Sequence, residues 1–135
     1  MKYLLDTNVC VDYLTGRFPE VGRRVLAASP SDLAVSVIAV VELRYGADKS
    51  ARPAANHRLL DLFLADVPTL EFDLRAASEY GKLRATLERA GAPIGPNDML
   101  IAAQALARDV VIVTDNVSEL SRIDGLSVEN WRLAR

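Results

Sequence analysis

Short apolar runs alternating with amphipathic stretches constrain this chain more than any other feature. Tyr3-Leu4-Leu5, Leu33-Ala34-Val35, Val67 to Phe72, Val110-Val111-Ile112-Val113 and Leu126 to Val128 read as strands by length and content. Helices are expected between them. The first, Thr7 to Leu14, is broken by Thr15-Gly16, and the second runs from Pro19 to Ala28. Ser36 caps a third through Ile38, Val41, Leu43 and Tyr45, with Gly46 near its end. Pro53 opens a fourth over Ala54 to Ala65. Asp73 starts a long one that Gly91 and Pro93 end near Ala90, Pro96 opens another through Ala107, and a short one surrounds Ser118 to Arg122. Strands alternating with helices predict a mostly parallel sheet covered on both faces, hence an α/β, three-layer α/β/α fold. With 135 residues and no repeat, low-complexity segment or linker, residues 1–135 read as one domain.

Composition narrows the function classes. Hydrophobic residues at 50% and charged residues at 25% mark an ordinary globular chain. A net charge of −2 argues against general electrostatic binding of nucleic acid, so any such role must rest on a local site. The single cysteine, Cys10, has no internal disulfide partner and reads as a buried, inert thiol in a reducing cytosol. No signal-peptide pattern and no bilayer-length apolar run is visible, so a cytoplasmic protein is expected.

Several acids sit where chemistry could use them. Asp6 follows the first strand, and Asp115 follows the strongest one with Thr114 between. In a parallel sheet both emerge at the carboxyl edge, where ligands bind, although each could simply cap the next helix. Glu42 shares a helical face with Ile38, Val41 and Tyr45. If that face looks inward, the carboxylate must pair with an arginine such as Arg44 or bind a cation. Asp98 aligns with Ile101, Ala102 and Ala105 on a buried stripe, where a helix-dipole role would not require burial. Like charges about 4 Å apart repel by ~4 kcal/mol at an effective dielectric near 20. Acids converging in one cleft therefore protonate, spread apart or hold a cation. An all-oxygen donor set selects Mg²⁺, with Mn²⁺ as a substitute. The lone histidine, His57, lies among Asn56, Arg58 and Asp61 and reads as a surface residue, which disfavours zinc and a Ser-His-Asp triad.

Four fragments in order, "LLDTN", "VVELRYGADKS", "PIGPNDMLIAAQA" and "VIVTDNVSEL", followed by "IDGLSVENW", resemble the pattern of PIN-domain ribonucleases, most closely the VapC toxins of VapBC toxin–antitoxin pairs. The resemblance spans essentially the whole chain and implies a PIN fold with its acids at the strand ends. It places Asp6, Glu42 and Asp98 on the family's metal-binding acids, with Asp6 and Asp98 as direct ligands. Asp115, Asn116 and Glu119 compete for the remaining catalytic position, and Asn116 falls where many PIN domains carry Asp. Thr114 would bond to the cluster through its hydroxyl. Capping of the first helix then falls to Thr7 or Asn8. Arg44, Lys49, Arg52 and Thr114 are the candidate substrate-binding residues. The resemblance further implies Mg²⁺-dependent endoribonuclease activity on RNA, with tRNA a frequent target. It also implies inhibition by a cognate VapB-type antitoxin and a homodimer, or a hetero-oligomer with the antitoxin, to which the apolar side of the Pro53–Ala65 helix could contribute.

Other readings fit less well. A phosphoacceptor receiver domain would need a lysine after the late strands, and none follows Val113. A haloacid-dehalogenase-type phosphatase would want an acid two residues after Asp6, where Asn8 stands. A non-catalytic PIN module that only binds RNA or a protein partner would have no need of Asp6, Glu42 and Asp98 together.

Overall fold

A computed structural model describes residues 1–133 of the protein. Five strands form one sheet: β1 (Tyr3–Leu5), β2 (Leu33–Ser36), β3 (Thr69–Leu70), β4 (Val111–Val113) and β5 (Val128–Glu129). Their order is β3-β2-β1-β4-β5 and every pairing is parallel, with Leu5 opposite both Val35 and Val113. The chain first builds outward from β1 to β3, then returns to add β4 and β5 on the other side. That reversal puts the topological switch point between β1 and β4. A receiver domain has the order 2-1-3-4-5, so the topology removes that alternative.

Among the described residues, seven α-helices cover the sheet: α1 (Thr7–Thr15), α2 (Pro19–Ala27), α3 (Val37–Asp48), α4 (Pro53–Asp66), α5 (Leu74–Arg89), α6 (Pro96–Arg108) and α7 (Val117–Leu120). The period of two in the strands sorts the core into two layers. Leu4, Ala34 and Ile112 face α5 and α6, where they meet Leu83, Leu87, Ile101 and Ala105. Leu5, Val35 and Val113 face the other way, towards Val9, Val21, Leu43, Phe63 and Trp131. The expected three-layer arrangement is present.

Local sequence explains most helix ends. Pro19, Pro53 and Pro96 occupy first helical positions, where a missing N–H costs nothing. Gly91, at φ 65°, closes α5 in a Schellman arrangement. Its N–H donates to Glu88 O at 3.1 Å and Ala92 N–H donates to Leu87 O at 3.0 Å. Two strands depart from expectation. β3 is only two residues of the apolar run Val67 to Phe72, because Val67 ends α4 and Asp73 already caps α5. β5 lies at Val128–Glu129 rather than Leu126 to Val128, since Gly125 turns the chain at φ 80° before it pairs with β4.

One buried polar pair ties the layers together. Ser36 caps α3 by accepting from Ile38 N–H, and its hydroxyl donates to Gln104 Oε1. Gln104 Nε2 donates onward to Leu70 O at 3.0 Å. Both side chains are buried. Replacing Ser36 with alanine removes the cap and leaves the Gln104 oxygen without a partner. We expect a loss of about 2–3 kcal/mol, read as a lower urea midpoint with unchanged slope.

Candidate active site

The carboxyl edge of the sheet gathers the acids. Asp6 leaves β1 in extended conformation and is itself the N-cap of α1, accepting from Val9 N–H at 3.0 Å. The cap therefore does not belong to Thr7 or Asn8. Those two side chains reach elsewhere: Thr7 Oγ1 donates to Glu42 Oε1 at 2.7 Å, and Asn8 Nδ2 donates to Asp115 Oδ1 at 3.1 Å. Asp6 is only 4% exposed. Burial pushes its carboxyl up to about 6, against the opposing pull of hydrogen bonds from Thr114 and Val9. The charges of Asp115 and Asp98 add to the rise.

Asp98 lies in the first turn of α6, with Ile101, Ala102 and Ala105 buried behind it as the stripe predicted. Its carboxyl is also raised, first by burial and then by Glu119, Glu42 and Asp115, while Asn116 lowers it. Asn116 is the organiser here. Its amide nitrogen donates to Asp98 Oδ2 at 2.8 Å and to Glu119 Oε2 at 2.6 Å, so one neutral group holds two acids. Thr114 sits beneath with no exposed surface, accepting from Asn116 N–H at 3.0 Å. Its hydroxyl serves the site from below and is not positioned to touch a substrate.

Asp6, Thr7, Asn8, Glu42, Gly95, Pro96, Asn97 and Asp98 line one cleft of about 220 Å³. That lining carries three carboxylates and no lysine, arginine or histidine. Among the described residues, no three His, Cys, Asp or Glu side chains already form a group set to hold a metal ion. Hydrogen bonds occupy the acids individually: Thr7 bonds to Glu42, and Asn116 bridges Asp98 and Glu119.

Glu42 reaches the cleft by a different face of α3 from the one expected. The buried positions are Ala39, Leu43 and Ala47, whereas Val41 and Tyr45 are 63% and 65% exposed. Glu42 stands at the border, half-buried, rather than on an inward stripe. It is not paired with Arg44. That guanidinium donates to Asp61 Oδ1 at 2.6 Å and to His57 Nδ1 at 3.1 Å. Because His57 Nδ1 accepts there, its Nε2 carries the hydrogen and donates to Asp48 Oδ1 at 2.7 Å. His57 thus bridges α3 and α4 and is no ligand. Lys49 rests over the Tyr45 ring at 4.9 Å, and neither it, Arg44 nor Arg52 lines the acidic cleft. On the apolar side of α4, Leu60 and Phe63 belong to the core, while Leu59 and Leu62 are exposed.

Asp115 is bonded to Asn8 and Arg132 rather than to Asn116. Its second oxygen accepts from Arg132 Nη1 at 3.1 Å. Arg132 also grips Asp12 with two nitrogens, Nε at 2.6 Å and Nη2 at 3.1 Å. Asp12, on α1, is 2% exposed and depends on this partner. Neither Asp12 nor Arg132 stands out in the sequence reading. The signal for Asp12 was available: it lies three residues after Val9, on the apolar face of α1. Arg132 lies 120 residues away and carries no local signal. Cys10 is buried as expected, and burial pushes its thiol well up.

Comparison with known proteins agrees with this fold. A family model described as PIN domain matches residues 3–126. Ribonuclease VapC2 of Rickettsia felis is 40% identical over 133 residues, covering 97% of this chain and 98% of that protein. The tRNA(fMet)-specific endonuclease VapC of Salmonella typhimurium is 38% identical over 131 residues, with the same coverage. Among solved structures, DNA-bound VapBC from Salmonella typhimurium is similar with a TM-score of 0.91 at 37% identity, over 97% of this chain and 98% of that one. VapBC-1 from nontypeable Haemophilus influenzae gives 0.89 at 35% identity, over 98% and 100%. The protein belongs to the PIN-domain family and, within it, to the VapC ribonucleases.

Proposed function

We propose that this protein is a Mg²⁺-dependent endoribonuclease, the toxin of a type II toxin–antitoxin pair, that cuts tRNA within a single-stranded loop. The observation that carries the reading is the cleft itself. Asp6, Glu42 and Asp98 come from three distant segments and line one opening at the switch point of the sheet, with no basic side chain in the lining. Their oxygen-only donor set fits a hard divalent cation, Mg²⁺ or Mn²⁺. The carboxyls of Asp6 and Asp98 are raised first by burial, with a further contribution from the neighbouring acids. Asp6 and Asp98 would hold the ion, with Glu42 beside them. Such an ion, when bound, neutralises charge on a scissile phosphate and acidifies water.

The chain's own groups supply the rest. Thr114 and Val9 N–H orient Asp6, Asn116 orients Asp98 and Glu119, and Thr7 orients Glu42. The second carboxylate oxygen of Glu42, Oε2, has no partner among the described residues and can take a proton from the attacking water. Asn97 and Asp98 N–H, in the first turn of α6, lack intrahelical acceptors and can donate to phosphate oxygens. Arg44, Lys49 and Arg52 lie outside the cleft and would meet only more distant phosphates. An acidic cleft is complementary to a Lys or Arg side chain, the feature by which a VapB-type antitoxin would block it. Similar solved structures are VapBC complexes, which supports such a partner; a homodimer, or a hetero-oligomer with the antitoxin, belongs to the same proposal. No helix of the described residues is long and apolar enough to cross a membrane. A non-catalytic, RNA-binding module is less well supported, because it would need none of the three acids.

End-labelled tRNA(fMet), an elongator tRNA and single-stranded DNA, each incubated with purified protein and Mg²⁺, test the substrate class. A discrete cut in the anticodon loop of tRNA(fMet) is expected, with the DNA untouched. An elongator tRNA cut equally well would remove the preference, and intact RNA throughout would remove the reading.

A further inference from the structure

Arg132 stands at the C-terminal end of the described chain, yet it touches the site from behind. Three of its nitrogens are committed: Nε and Nη2 to the buried carboxylate of Asp12, and Nη1 to Asp115 Oδ2. Its guanidinium also lies over the Phe18 ring at 4.2 Å, so its plane is fixed as well as its charge. Asp115 is held on its other oxygen by Asn8, a residue of the cleft wall. Both Asp115 oxygens are therefore occupied. Its charge still acts on Asp6 and on Asp98, so its position and neutralisation matter to the cleft.

We propose that Arg132 is a positioning residue of the nuclease site. It anchors on Asp12 and uses its remaining nitrogen to hold the Asp115 carboxylate at the rim, neutralised and out of the cleft. The fork is required for this. A lysine is a compact point charge that can satisfy buried Asp12 but cannot span Asp12 and Asp115 together. Arg132, after β5, thus joins the acid site through one planar cation. The inference rests on the reading of the cleft as a cation site.

The test is a double-mutant cycle of Arg132→Lys with Asp115→Asn. Two readouts are used: Mn²⁺ binding to the protein without RNA, and kcat and KM for tRNA cleavage. Arg132→Lys keeps a partner for Asp12, so near-native melting is expected. Freed from the fork, Asp115 adds its charge to the cleft. Mn²⁺ should then bind severalfold more tightly, while kcat falls about 10-fold with little change in KM. In the Asp115→Asn background the same Arg132→Lys change should alter neither quantity. An equal effect of Arg132→Lys in both backgrounds would show a merely structural role and overturn the proposal. So would wild-type Mn²⁺ affinity and kcat in Arg132→Lys itself. If Arg132→Lys fails to fold, Asp12→Asn with Arg132 intact replaces it. There the anchor is weakened, so Mn²⁺ affinity and kcat should shift in the same direction as expected for Arg132→Lys, and wild-type values of both would contradict the assignment. Failure of the cation-site reading is distinguishable, because wild-type protein would then bind no Mn²⁺ at all.

Discussion

Asp98→Asn should leave the protein folded and lower Mg²⁺-dependent RNA cleavage by at least about 100-fold. The amide keeps the size of the carboxylate and most of its hydrogen-bonding reach, so the stripe of Ile101, Ala102 and Ala105 behind it stays packed. What disappears is one full negative charge on the cleft wall, opposite Asp6 and Glu42. Because general acid–base and charge-positioning groups are each worth about 10²–10⁴ in rate, the loss should appear in kcat rather than in RNA binding. Circular dichroism and melting fix the first half of the expectation, and single-turnover cleavage fixes the second. Near-wild-type cleavage by folded Asp98→Asn would remove Asp98 from the site.

The second large effect concerns stability and has a definite sign in pH. Burial raises the Asp6 carboxyl from 3.8 in the unfolded chain to about 6 in the fold. A raised pKa means that folding favours the protonated form. The associated stability is fully present below about pH 4 and is lost as pH rises through about 6. The difference between the limits is on the order of 3 kcal/mol. In the presence of a chelator, Asp6→Asn should therefore be more stable than wild type at pH 8 by about 2–3 kcal/mol. The gap should close towards pH 4. Asparagine keeps an oxygen for Val9 N–H, so the cap survives the change. Mg²⁺ should reverse the ranking at pH 8, stabilising wild type and leaving Asp6→Asn nearly unaffected. At pH 5 the ion should do little for either. Urea titrations at the three pH values, with and without Mg²⁺, give the whole pattern. Equal pH profiles for wild type and Asp6→Asn would show that Asp6 is not the buried acid described.

How far the sequence announced this site depends on the range of the interactions. Asp6 and Asp98 were visible because strand ends and helix stripes are local patterns, and a parallel sheet brings strand ends to one edge. Glu42 was found for an incorrect reason. Its helix has apolar residues on more than one face, so periodicity favoured the stripe of Val41 and Tyr45, which the tertiary packing leaves exposed. The choice among Asp115, Asn116 and Glu119 needed side-chain directions. Only the fold shows Asn116 bridging Asp98 to Glu119 while Asp115 turns to Arg132. Capping by Asp6 was likewise a matter of which side chain turns back on its own helix. Arg132 lay beyond any pattern argument, since its partners are separated from it by 17 and 120 residues. Arg44 and Lys49 were close to Glu42 in sequence but are drawn off by Asp61, His57 and Tyr45, and Arg52 does not line the cleft.

The central claim is that Asp6, Glu42 and Asp98 make a divalent-cation site for RNA cleavage. The most direct measurement follows one labelled tRNA with wild-type protein in Mg²⁺, in excess chelator, and in chelator followed by excess Mg²⁺. Discrete fragments should form in the first reaction, vanish in the second and return in the third, and Asp98→Asn should yield none in any of them. Cleavage that persists unchanged in chelator would contradict the account.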